Sequence, residues 1–444
     1  MENVVKKWQK KFSRKSMNKK NIAIFPAGTE IGLEIHNALR FVKDINLIGL
    51  ASIEDHSSFV YKNIDQDAPY INDEAIIPYI KDMVKKYNLD YIFPAHDEAV
   101  VILTENEDKI GVKVIAPSAK CADICRYKSK TYGMLKDFDF TPKTFLKEEL
   151  QEDSYPVFLK PDKGQGSNGA MVIRSKAELL NIKKLEENII CEYLPQEEYT
   201  VACVSDHSYK LLYAGQRTRS RVKTGISVSS LNVPLDKEVD TIANQISATL
   251  KMSGAWFFQV KKDNKGKYKL LEVSARIAGS MGLHRNQGIN FSLLSIYIKD
   301  KVTVGIIKND LSFQLDRAFI SRYKLNFGYE YVYIDFDDTI LLEDKVNPFM
   351  MHFLYQCKNK NIKLFLITRH NKVVDETLRK LHIDKNLFDE VIHIKDKSKK
   401  SKYIIEKKSI FIDDAFSERL DVHTECKIPV FDIDSIESLI DWRM

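Results

Sequence analysis

The 444-residue sequence has few cysteines and no long apolar run, and each of these features excludes a class of protein. Its six cysteines are scattered without a CxxC pair, which is typical of reduced thiols rather than of a disulfide framework or a zinc site. No apolar stretch approaches the roughly 20 residues that span a bilayer, and no charged start followed by an apolar segment marks a signal peptide. We therefore expect a cytoplasmic protein without a transmembrane segment.

Charge of a single sign is also scarce, because 68 lysines and arginines nearly balance 62 acids and leave a formal net charge of +6. The surplus is concentrated in a basic N-terminal extension, residues 1–20. Val5, Trp8 and Phe12 recur there at helical spacing, so two interpretations stay open: a solvated terminus, or a weak contact with an anionic membrane surface or a partner. The later chain mixes both signs and carries no reader motif, so we expect no nucleic-acid partner.

Length and element order predict an α/β protein with three folded domains after that extension. The chain is about three times as long as a typical domain of roughly 150 residues. A buried strand at 21–28 ends in a glycine turn before a helix that begins at Glu30, which predicts a Rossmann-like βαβ start. We place the predicted domains at residues 21–120, 121–325 and 328–444.

A glycine-rich hairpin is predicted at residues 158–173, where two apolar strands flank a tip of small residues. Lys160 ends the first strand, and Gly164, Gly166 and Ser167 lie in the tip. Glycines let backbone N–H groups approach phosphate oxygens, Ser167 adds a hydroxyl donor and Lys160 adds a positive charge. The segment predicts a loop that folds over a triphosphate. An ordinary flexible β-turn is the alternative for the segment taken alone.

A later strand carries an acid, a hydroxyl and an arginine at alternate positions, Glu272, Ser274 and Arg276. Alternation puts all three on one face, which for an isolated segment is also the pattern of a solvated face. The preceding strand carries Gln259 and is joined through the polar loop 261–267, so a hairpin would place Gln259 beside Glu272. Adjacent oxygen ligands of this kind are what Mg²⁺ needs beside a triphosphate.

These motifs, in this order, resemble the ATP-grasp ligases, and most closely the carbamoyl-phosphate-synthase-like branch, over about residues 21–310. The resemblance implies a Rossmann-like domain before ATP-grasp α+β domains, with ATP and Mg²⁺ as cofactors and Mn²⁺ as a substitute metal. It assigns nucleotide binding to Lys128, Lys160, Gly164, Gly166, Ser167, Glu192, Leu194 and Glu198. Lys130 is the rival of Lys128 for the first nucleotide lysine.

The same resemblance implies that Gln259 and Glu272 hold magnesium and that Arg276 faces the transferred phosphoryl group. Ser274 stands where that branch usually has Asn, and its shorter side chain would reach a metal only through water.

Several arginines are candidate substrate ligands, because guanidinium forks match the oxygens of a carboxylate or an acyl phosphate. Arg217, Arg219 and Arg221 alternate along one segment, for which ordinary surface charge is the alternative. Arg285, in a glycine-flanked segment, is a further candidate.

A second chemical pattern begins after Gly328. The apolar strand 331–334 runs into Asp335, Asp337 and Asp338, and carboxylates at that density are costly unless a cation neutralises them. Residues that can bind phosphate or metal follow further along the chain. Thr368 ends one apolar strand, Lys400 lies in a basic helix start, and Asp413 and Asp414 follow another apolar strand.

This order of motifs is similar to that of the haloacid-dehalogenase-like (HAD) phosphohydrolases, over about residues 328–444. The similarity implies a Rossmannoid fold without a mobile cap domain, since only a linker and one helix fit between its first two motifs. It makes Asp335 the nucleophile that attacks phosphorus, and Asp337 the acid that protonates the leaving group and then activates water.

The similarity also implies that Thr368 and Lys400 hold phosphoryl oxygens, with Lys399 and Lys402 as rivals for the basic role. The implied magnesium ligands are Asp335, Asp337, Asp413 and Asp414. A non-catalytic capping or structural role is the alternative for the acidic strand end.

Together the two resemblances predict a bifunctional enzyme. One part would be an ATP-dependent carboxylate–amine ligase that forms ADP through an acyl phosphate. The other would be a Mg²⁺-dependent phosphatase of a related small-molecule or sugar phosphate. The expected partners are a small-molecule carboxylate, an amine and a phosphorylated small molecule. Two alternatives stay open: a phosphoryl transferase that makes no amide bond, and a non-catalytic nucleotide-binding regulatory protein.

Overall fold

The structure, a computed structural model, describes residues 19–164, 166, 168–223 and 225–443. It divides into two compact units, with the division between Phe319 and Ile320. Both units combine helices with β-sheets, which confirms the predicted α/β class. Nearly all of the basic N-terminal extension lies outside the described residues, so both interpretations of it stay predictions. Among the described helices, none has the length and apolarity needed to cross a bilayer.

Unit 1 begins with a five-stranded parallel sheet. Its strands are β1 (Lys20–Phe25), β2 (Ile45–Leu50), β3 (Asn63–Asp65), β4 (Tyr91–Pro94) and β5 (Lys113–Val114), in the spatial order β3-β2-β1-β4-β5. Its helices are α1 (Glu30–Leu39), α2 (Ile76–Tyr87), α3 (Asp97–Glu105) and α4 (Glu107–Ile110). The predicted βαβ start is confirmed by β1, α1 and β2.

Strand β1 is covered on both faces, which explains its uninterrupted apolar sequence. Ile22 and Ile24 pack in one core cluster, and Ala23 and Phe25 pack in another. A strand covered on both sides needs no alternation of polar residues. Because the sheet is parallel, the carboxyl ends of β1 and β4 share one edge, and α1 and α3 begin there.

Three antiparallel sheets complete unit 1. Their strands are β6 (Thr144–Phe145), β7 (Val157–Pro161), β8 (Met171–Ile173), β9 (Asn188–Glu192), β10 (Glu198–Ser205), β11 (Leu211–Thr218), β12 (Arg221–Lys223), β13 (Ile226–Leu231), β14 (Gly254–Lys262), β15 (Tyr268–Ser274) and β16 (Gln314–Asp316). The sheet orders are β6-β9-β7-β8, β11-β10-β14-β15 and β12-β13-β16. The helices are α5 (Ala119–Arg126), α6 (Lys128–Met134), α7 (Lys176–Leu180), α8 (Lys237–Leu250), α9 (Gly282–Arg285) and α10 (Phe291–Lys299).

The sheet β11-β10-β14-β15 is covered by a helix on one face, and its other face is part apolar, where Ala202, Val204, Ala255 and Phe257 pack in a core cluster, and part polar. Helix α8 covers the first of these faces, because its buried residues recur at helical spacing and Val239, Ile242 and Ile246 pack with Trp256 and Phe258. Side chains at the intervening positions of β10 and β14 point to the opposite face. That opposite face is where the candidate site lies.

Unit 2 is built around a second five-stranded parallel sheet. Its strands are β17 (Tyr331–Ile334), β20 (Lys363–Thr368), β21 (Glu390–His393), β22 (Ser409–Ile412) and β23 (Val430–Phe431), with the hairpin β18 (Leu341–Leu342) and β19 (Lys345–Val346) after the first strand. The sheet order is β21-β20-β17-β22-β23. The helices are α11 (Pro348–Asn359), α12 (Val374–Lys380) and α13 (Phe416–Cys426).

The segment between β17 and β20 is short and fully described. It contains the hairpin β18-β19 and helix α11, and no inserted domain. The carboxyl ends of β17, β20 and β22 therefore meet at one sheet edge that no cap within this segment covers.

Candidate functional site

A row of four polar side chains crosses the face of the sheet opposite α8. Arg217 on β11 pairs in register with Thr200 on β10, Thr200 pairs with Gln259 on β14, and Gln259 pairs with Glu272 on β15. Because paired residues on neighbouring strands point to the same side of a sheet, the four side chains share one face. The predicted placement of Gln259 beside Glu272 is confirmed by this register.

This face borders a cavity of about 240 Å³ within unit 1. Most residues that the sequence assigns to nucleotide, magnesium or substrate line it: Lys128, Lys160, Gly164, Gly166, Glu192, Leu194, Glu198, Arg217, Arg219, Gln259, Glu272, Ser274 and Arg276. Lys130, Arg221 and Arg285 are not among the lining residues, and Ser167 lies outside the described residues.

Lys128 opens helix α6 and is buried beside the end of β7. Its Nζ donates to the carbonyl oxygens of Pro161 at 3.1 Å and of Asp162 at 3.4 Å. Burial lowers the pKa of Lys128. The rival Lys130 is half exposed, and its Nζ pairs with the carboxylate of Asp123 at 2.7 Å. The structure therefore places Lys128, and not Lys130, at the cavity.

Lys160, on β7, is a second buried lysine at the cavity. Its Nζ donates to the hydroxyl of Tyr132 at 2.7 Å and to the carbonyl oxygen of Leu271 at 3.0 Å. Burial lowers the pKa of Lys160 as well. Within the described part of the chain, neither Lys128 nor Lys160 forms an ion pair, so both ammonium groups can receive an anion.

The glycine hairpin between β7 and β8 meets a second glycine turn that the sequence analysis missed. Gly166 and Gly225 have left-handed φ angles of 63° and 74°. A Cβ added at Gly225 would lie 1.7 Å from the carbonyl oxygen of Gly166, so the two turns touch backbone to backbone. The available signal was an isolated glycine between β12 and β13, and only the fold shows which backbone it approaches.

Glu192, Leu194 and Glu198 lie at the end of the cavity formed by β9 and β10. The Glu192 carboxylate accepts a hydrogen bond from the backbone N–H of Lys143 at 2.8 Å. Glu198 pairs with Nε of Arg219 at 2.8 Å. Leu194 gives this part of the cavity an apolar surface, and Glu192 and Glu198 give it carboxylate oxygens, which are groups that a nucleotide base and ribose can contact.

Arg276 is held by Asp97, which was not among the predicted site residues. Nε and Nη2 of Arg276 donate to the two carboxylate oxygens of Asp97 at 2.8 and 2.7 Å. Burial alone would raise the pKa of Asp97, but the charge and hydrogen bonds of Arg276 outweigh burial and lower it. Asp97 follows β4 at its carboxyl end, which was the available sequence signal.

A cluster of arginines lies at the Arg217 end of the row. Arg217 is 3% exposed and donates from Nη1 to Ser230 Oγ at 2.9 Å and from Nη2 to Ser280 Oγ. Burial lowers the pKa of Arg217 to about 9, and the charges of Arg219 and Arg317 add to the effect.

Two residues at this end were not predicted, and two predicted substrate residues lie elsewhere. Arg317 pairs with Glu30 at 2.5 Å, and both line the cavity. Arg221 is exposed on β12, and Arg285 pairs through Nε with Glu34 at 2.7 Å. Neither Arg221 nor Arg285 is therefore brought to the cavity by the fold.

Unit 2 has a cluster of carboxylates at the carboxyl edge of its sheet. One oxygen from each of Asp335, Asp413 and Asp414 lies within 4.8 Å of the others. Lys400 donates from Nζ to Asp335 at 2.5 Å and to Asp413 at 2.6 Å. Burial, opposed by the Lys400 charge and assisted by that of Asp413, raises the pKa of Asp335 to about 7. Three close oxygens of this kind fit a divalent cation.

Asp337 lies outside that cluster. Its Oδ1 is 2.8 Å from Nδ1 of His370, and Nε2 of His370 is 2.8 Å from the hydroxyl of Thr377. The hydroxyl of Thr368, at the end of β20, accepts from the backbone N–H of His370 at 3.0 Å. His370 and Thr377 were not among the predicted site residues, since nothing in the spacing links them to Asp337.

The three rival lysines of unit 2 have different environments. Lys400 is buried between Asp335 and Asp413, as described above. Lys399 is exposed and pairs with Asp421 at 2.6 Å, and Lys402 is also exposed. The structure therefore places Lys400 alone of these three at the carboxylate cluster.

Comparison with known families gives one match within unit 1. Residues 184–314 match the family described as "ATP-grasp in the biosynthetic pathway with Ter operon". A curated relative is the arginine-specific large chain of carbamoyl phosphate synthase from Bacillus subtilis, which is 23% identical over 219 residues. The alignment covers 45% of this chain and 21% of that protein, so the chain spans about a fifth of the length of this relative.

Solved structures share the fold. The biotin carboxylase beta-gamma-ATP complex from Campylobacter jejuni superposes with a TM-score of 0.57 at 19% identity, over 66% of this chain and 74% of that chain. A biotin carboxylase domain from Hydrogenobacter thermophilus, in complex with MgADP, ADP and bicarbonate, gives 0.56 at 16% identity over 66% and 73%. The ATP-grasp prediction is confirmed at the level of fold, and relatives of this fold bind ATP and Mg²⁺. The HAD resemblance of unit 2 stays a prediction.

Proposed function

We propose that unit 1 is an ATP-dependent ligase that joins a carboxylic acid to an amine through an acyl phosphate. The observation that carries the proposal is the cavity itself, where Lys128 and Lys160 have no ion-pair partner among the described residues and lie near the paired Gln259 and Glu272. Cationic groups and two adjacent oxygen ligands are what a triphosphate with its magnesium requires.

The residues of unit 1 would position and neutralise rather than react. Lys128 and Lys160 hold phosphate oxygens, and Arg276, fixed by Asp97, faces the phosphoryl group. Gln259 and Glu272 would hold Mg²⁺, which neutralises phosphate charge when bound.

The proposed reaction has two steps. A carboxylate oxygen of the acid attacks the γ-phosphorus, the bond to the β,γ-bridging oxygen breaks, and ADP leaves. The amine nitrogen then attacks the acyl carbon, the carbon–oxygen bond to phosphate breaks, and the nitrogen loses its proton to solvent.

The test is ADP release by the full chain with Mg·ATP and pairs drawn from amino acids, sugar acids and amines. Release that needs both an acid and an amine supports the ligase, and Lys160→Ala and Glu272→Ala should abolish it. Release that needs an acid but no amine would instead support a phosphoryl transferase, and no release with any pair would support the non-catalytic alternative.

We further propose that unit 2 is a HAD-type phosphatase of a small-molecule or sugar phosphate. Asp335 would attack phosphorus, Asp337 would move the proton, and Lys400 with Thr368 would hold the phosphoryl oxygens. Asp335, Asp413 and Asp414 would hold Mg²⁺, since their oxygens already converge.

Hydrolysis of p-nitrophenyl phosphate with Mg²⁺ should be abolished by Asp335→Asn and retained by Lys399→Ala, a neighbour of Lys400 whose side chain is exposed. Equal hydrolysis by Asp335→Asn and the unaltered chain would refute the role of that carboxylate.

A further inference from the structure

One arginine at the cavity of unit 1 differs from the others in its partners. Among the described lining residues, four arginines pair with carboxylates: Arg126 with Glu98, Arg219 with Glu198, Arg276 with Asp97 and Arg317 with Glu30. Within the described residues, the guanidinium of Arg217 hydrogen-bonds to the hydroxyls of Ser230 and Ser280 and forms no ion pair, and Arg217 is the most buried of the five arginines. A buried guanidinium without a carboxylate is costly, so a bound anion is the partner that its position lacks.

The position of Arg217 separates it from the proposed magnesium and phosphate ligands. Neighbouring strands lie about 4.8 Å apart, so the backbone of Arg217 is about 10 Å from that of Gln259 and about 14 Å from that of Glu272 along the row. Arg217 is therefore at the opposite end of the row from Glu272, whose carboxylate would hold magnesium.

The side chain next to Arg217 in the row, Thr200, does not supply the missing partner. Thr200 lies between Arg217 and Gln259 in register and is 1% exposed, but among the described residues its Oγ1 has no hydrogen-bond partner, Arg217 included. Thr200 is not one of the cavity-lining residues, so the anion site is assigned to Arg217, which does line the cavity.

We propose that Arg217, supported by Ser230 and Ser280, binds an oxyanion group of the second substrate, either a carboxylate or a phosphate. The proposal rests on the ligase function of unit 1 and adds the chemical class of the substrate that lies beside the nucleotide. The planar guanidinium offers two parallel donors to either kind of oxyanion, whereas the serine hydroxyls fix its plane. Arg276 is less suited to this role, because Asp97 already occupies two of its donors.

The test is calorimetric titration of the full chain, saturated with Mg·AMP-PNP so that the nucleotide phosphate positions are filled, with inorganic phosphate and with succinate as separate probes. We expect one of the probes to bind the unaltered chain, and the probe that binds identifies the group as phosphate or carboxylate. Arg217→Gln should weaken that binding about tenfold or more, and Arg217→Lys should weaken it less, because lysine keeps the positive charge but not the two parallel donors.

Arg174→Gln is the matched control, because Arg174 is exposed and does not line the cavity. Unchanged probe binding in Arg217→Gln, or no binding of either probe to the unaltered chain, overturns the proposal.

Mg·AMP-PNP affinity is measured in the same samples. Loss of probe binding with unchanged nucleotide affinity supports the Arg217 subsite, whereas failure of the unaltered chain to bind nucleotide refutes the ligase proposal. In that case the probes are titrated without nucleotide, and the comparison of Arg217→Gln with the control still decides the subsite.

Discussion

Buried cations in contact with neutral oxygens mark the candidate binding positions at the scale of single residues. Lys128, Lys160 and Arg217 are each buried, and their hydrogen bonds go to carbonyl or hydroxyl oxygens. Removing such a charge from water is unfavourable, and a bound anion offsets that cost. These three side chains therefore favour anionic ligands.

Alanine substitutions of Lys128 and Lys130 should affect nucleotide binding differently. Lys128→Ala should raise the Kd for MgADP about tenfold or more, because it removes a buried charge at the cavity. Lys130→Ala should leave the Kd nearly unchanged, since Lys130 is half exposed and paired with Asp123. Titration calorimetry of both variants measures the difference. A larger effect from Lys130→Ala than from Lys128→Ala would contradict the assignment.

His284 should make the fold of unit 1 less stable in mild acid. Burial lowers the pKa of His284 to about 4, whereas the unfolded chain has the ordinary value of 6.5. As the pH falls below 6.5, His284 becomes protonated in the unfolded state. In the folded state it becomes protonated only near pH 4. The free energy of unfolding should therefore decrease over this window, by about 3 kcal/mol from this residue.

Urea unfolding between pH 7 and pH 4 measures this loss. His284→Gln should show a shallower pH dependence than the unaltered chain. Some dependence should remain in that variant, because burial lowers the pKa of His36 to about 4 as well. Identical pH profiles for the two proteins would show that His284 is not the source of the change.

The types of residue at the candidate site were predictable from the sequence, but their partners were not. Spacing along the chain identified Lys160, Gln259 and Glu272 as site residues, because strand alternation fixes which side chains share a face. It could not decide between Lys128, which the fold buries against the carbonyl oxygens of β7, and Lys130, which stays exposed and pairs with Asp123. The Asp97 partner of Arg276 lies 179 positions away in sequence, beyond any local pattern.

At the scale of elements, the contact between two glycine turns is the feature most open to test. Gly225 and Gly266 both have left-handed φ angles, 74° and 77°, but their surroundings differ. A Cβ at Gly225 would overlap the Gly166 carbonyl, and a Cβ at Gly266 would meet nothing within 4 Å. Alanine at either position therefore adds the strain of a left-handed residue with a Cβ. Alanine at Gly225 also displaces the backbone of the glycine hairpin, so a comparison of the two substitutions isolates that displacement.

Gly225→Ala should lower nucleotide affinity, because the tip of the glycine hairpin must move. Gly266→Ala should leave the affinity unchanged and lower stability only by about 1 kcal/mol, the usual cost of a left-handed residue with a Cβ. Affinity for MgADP and the midpoint of urea unfolding are measured for both variants. Equal affinities in the two would mean that the contact between the turns does not position the hairpin.

Periodicity predicted the elements that are long or regular. The strands β1 and β2, helix α1 and the hairpin β14-β15 follow from apolar alternation and polar turns, and the structure contains all of them. The small sheet β12-β13-β16 was not predicted, because its last strand is far along the chain and has only three residues. Short strands gain most of their stability from neighbours, which a local pattern does not report.

At the scale of the whole molecule, the two candidate sites lie in separate compact units with separate cores. The cavity of unit 1 is bordered by residues from Glu30 to Arg317, and the carboxylate cluster of unit 2 lies between Asp335 and Asp414. No residue is shared between the two sets. Each reaction should therefore be removable without loss of the other.

Reciprocal variants of the full chain test this independence. Glu272→Ala should abolish substrate-dependent ADP release and retain Mg²⁺-dependent hydrolysis of p-nitrophenyl phosphate. Asp335→Asn should do the reverse, because the exchange of one carboxylate oxygen for an amide removes the proposed nucleophile while it barely changes side-chain volume. The two variants serve as controls for each other, since each must fold well enough to run the reaction that it keeps. If either variant loses both activities while its far-UV circular dichroism stays unchanged, the two sites depend on each other and the assignment of one reaction to each unit is wrong.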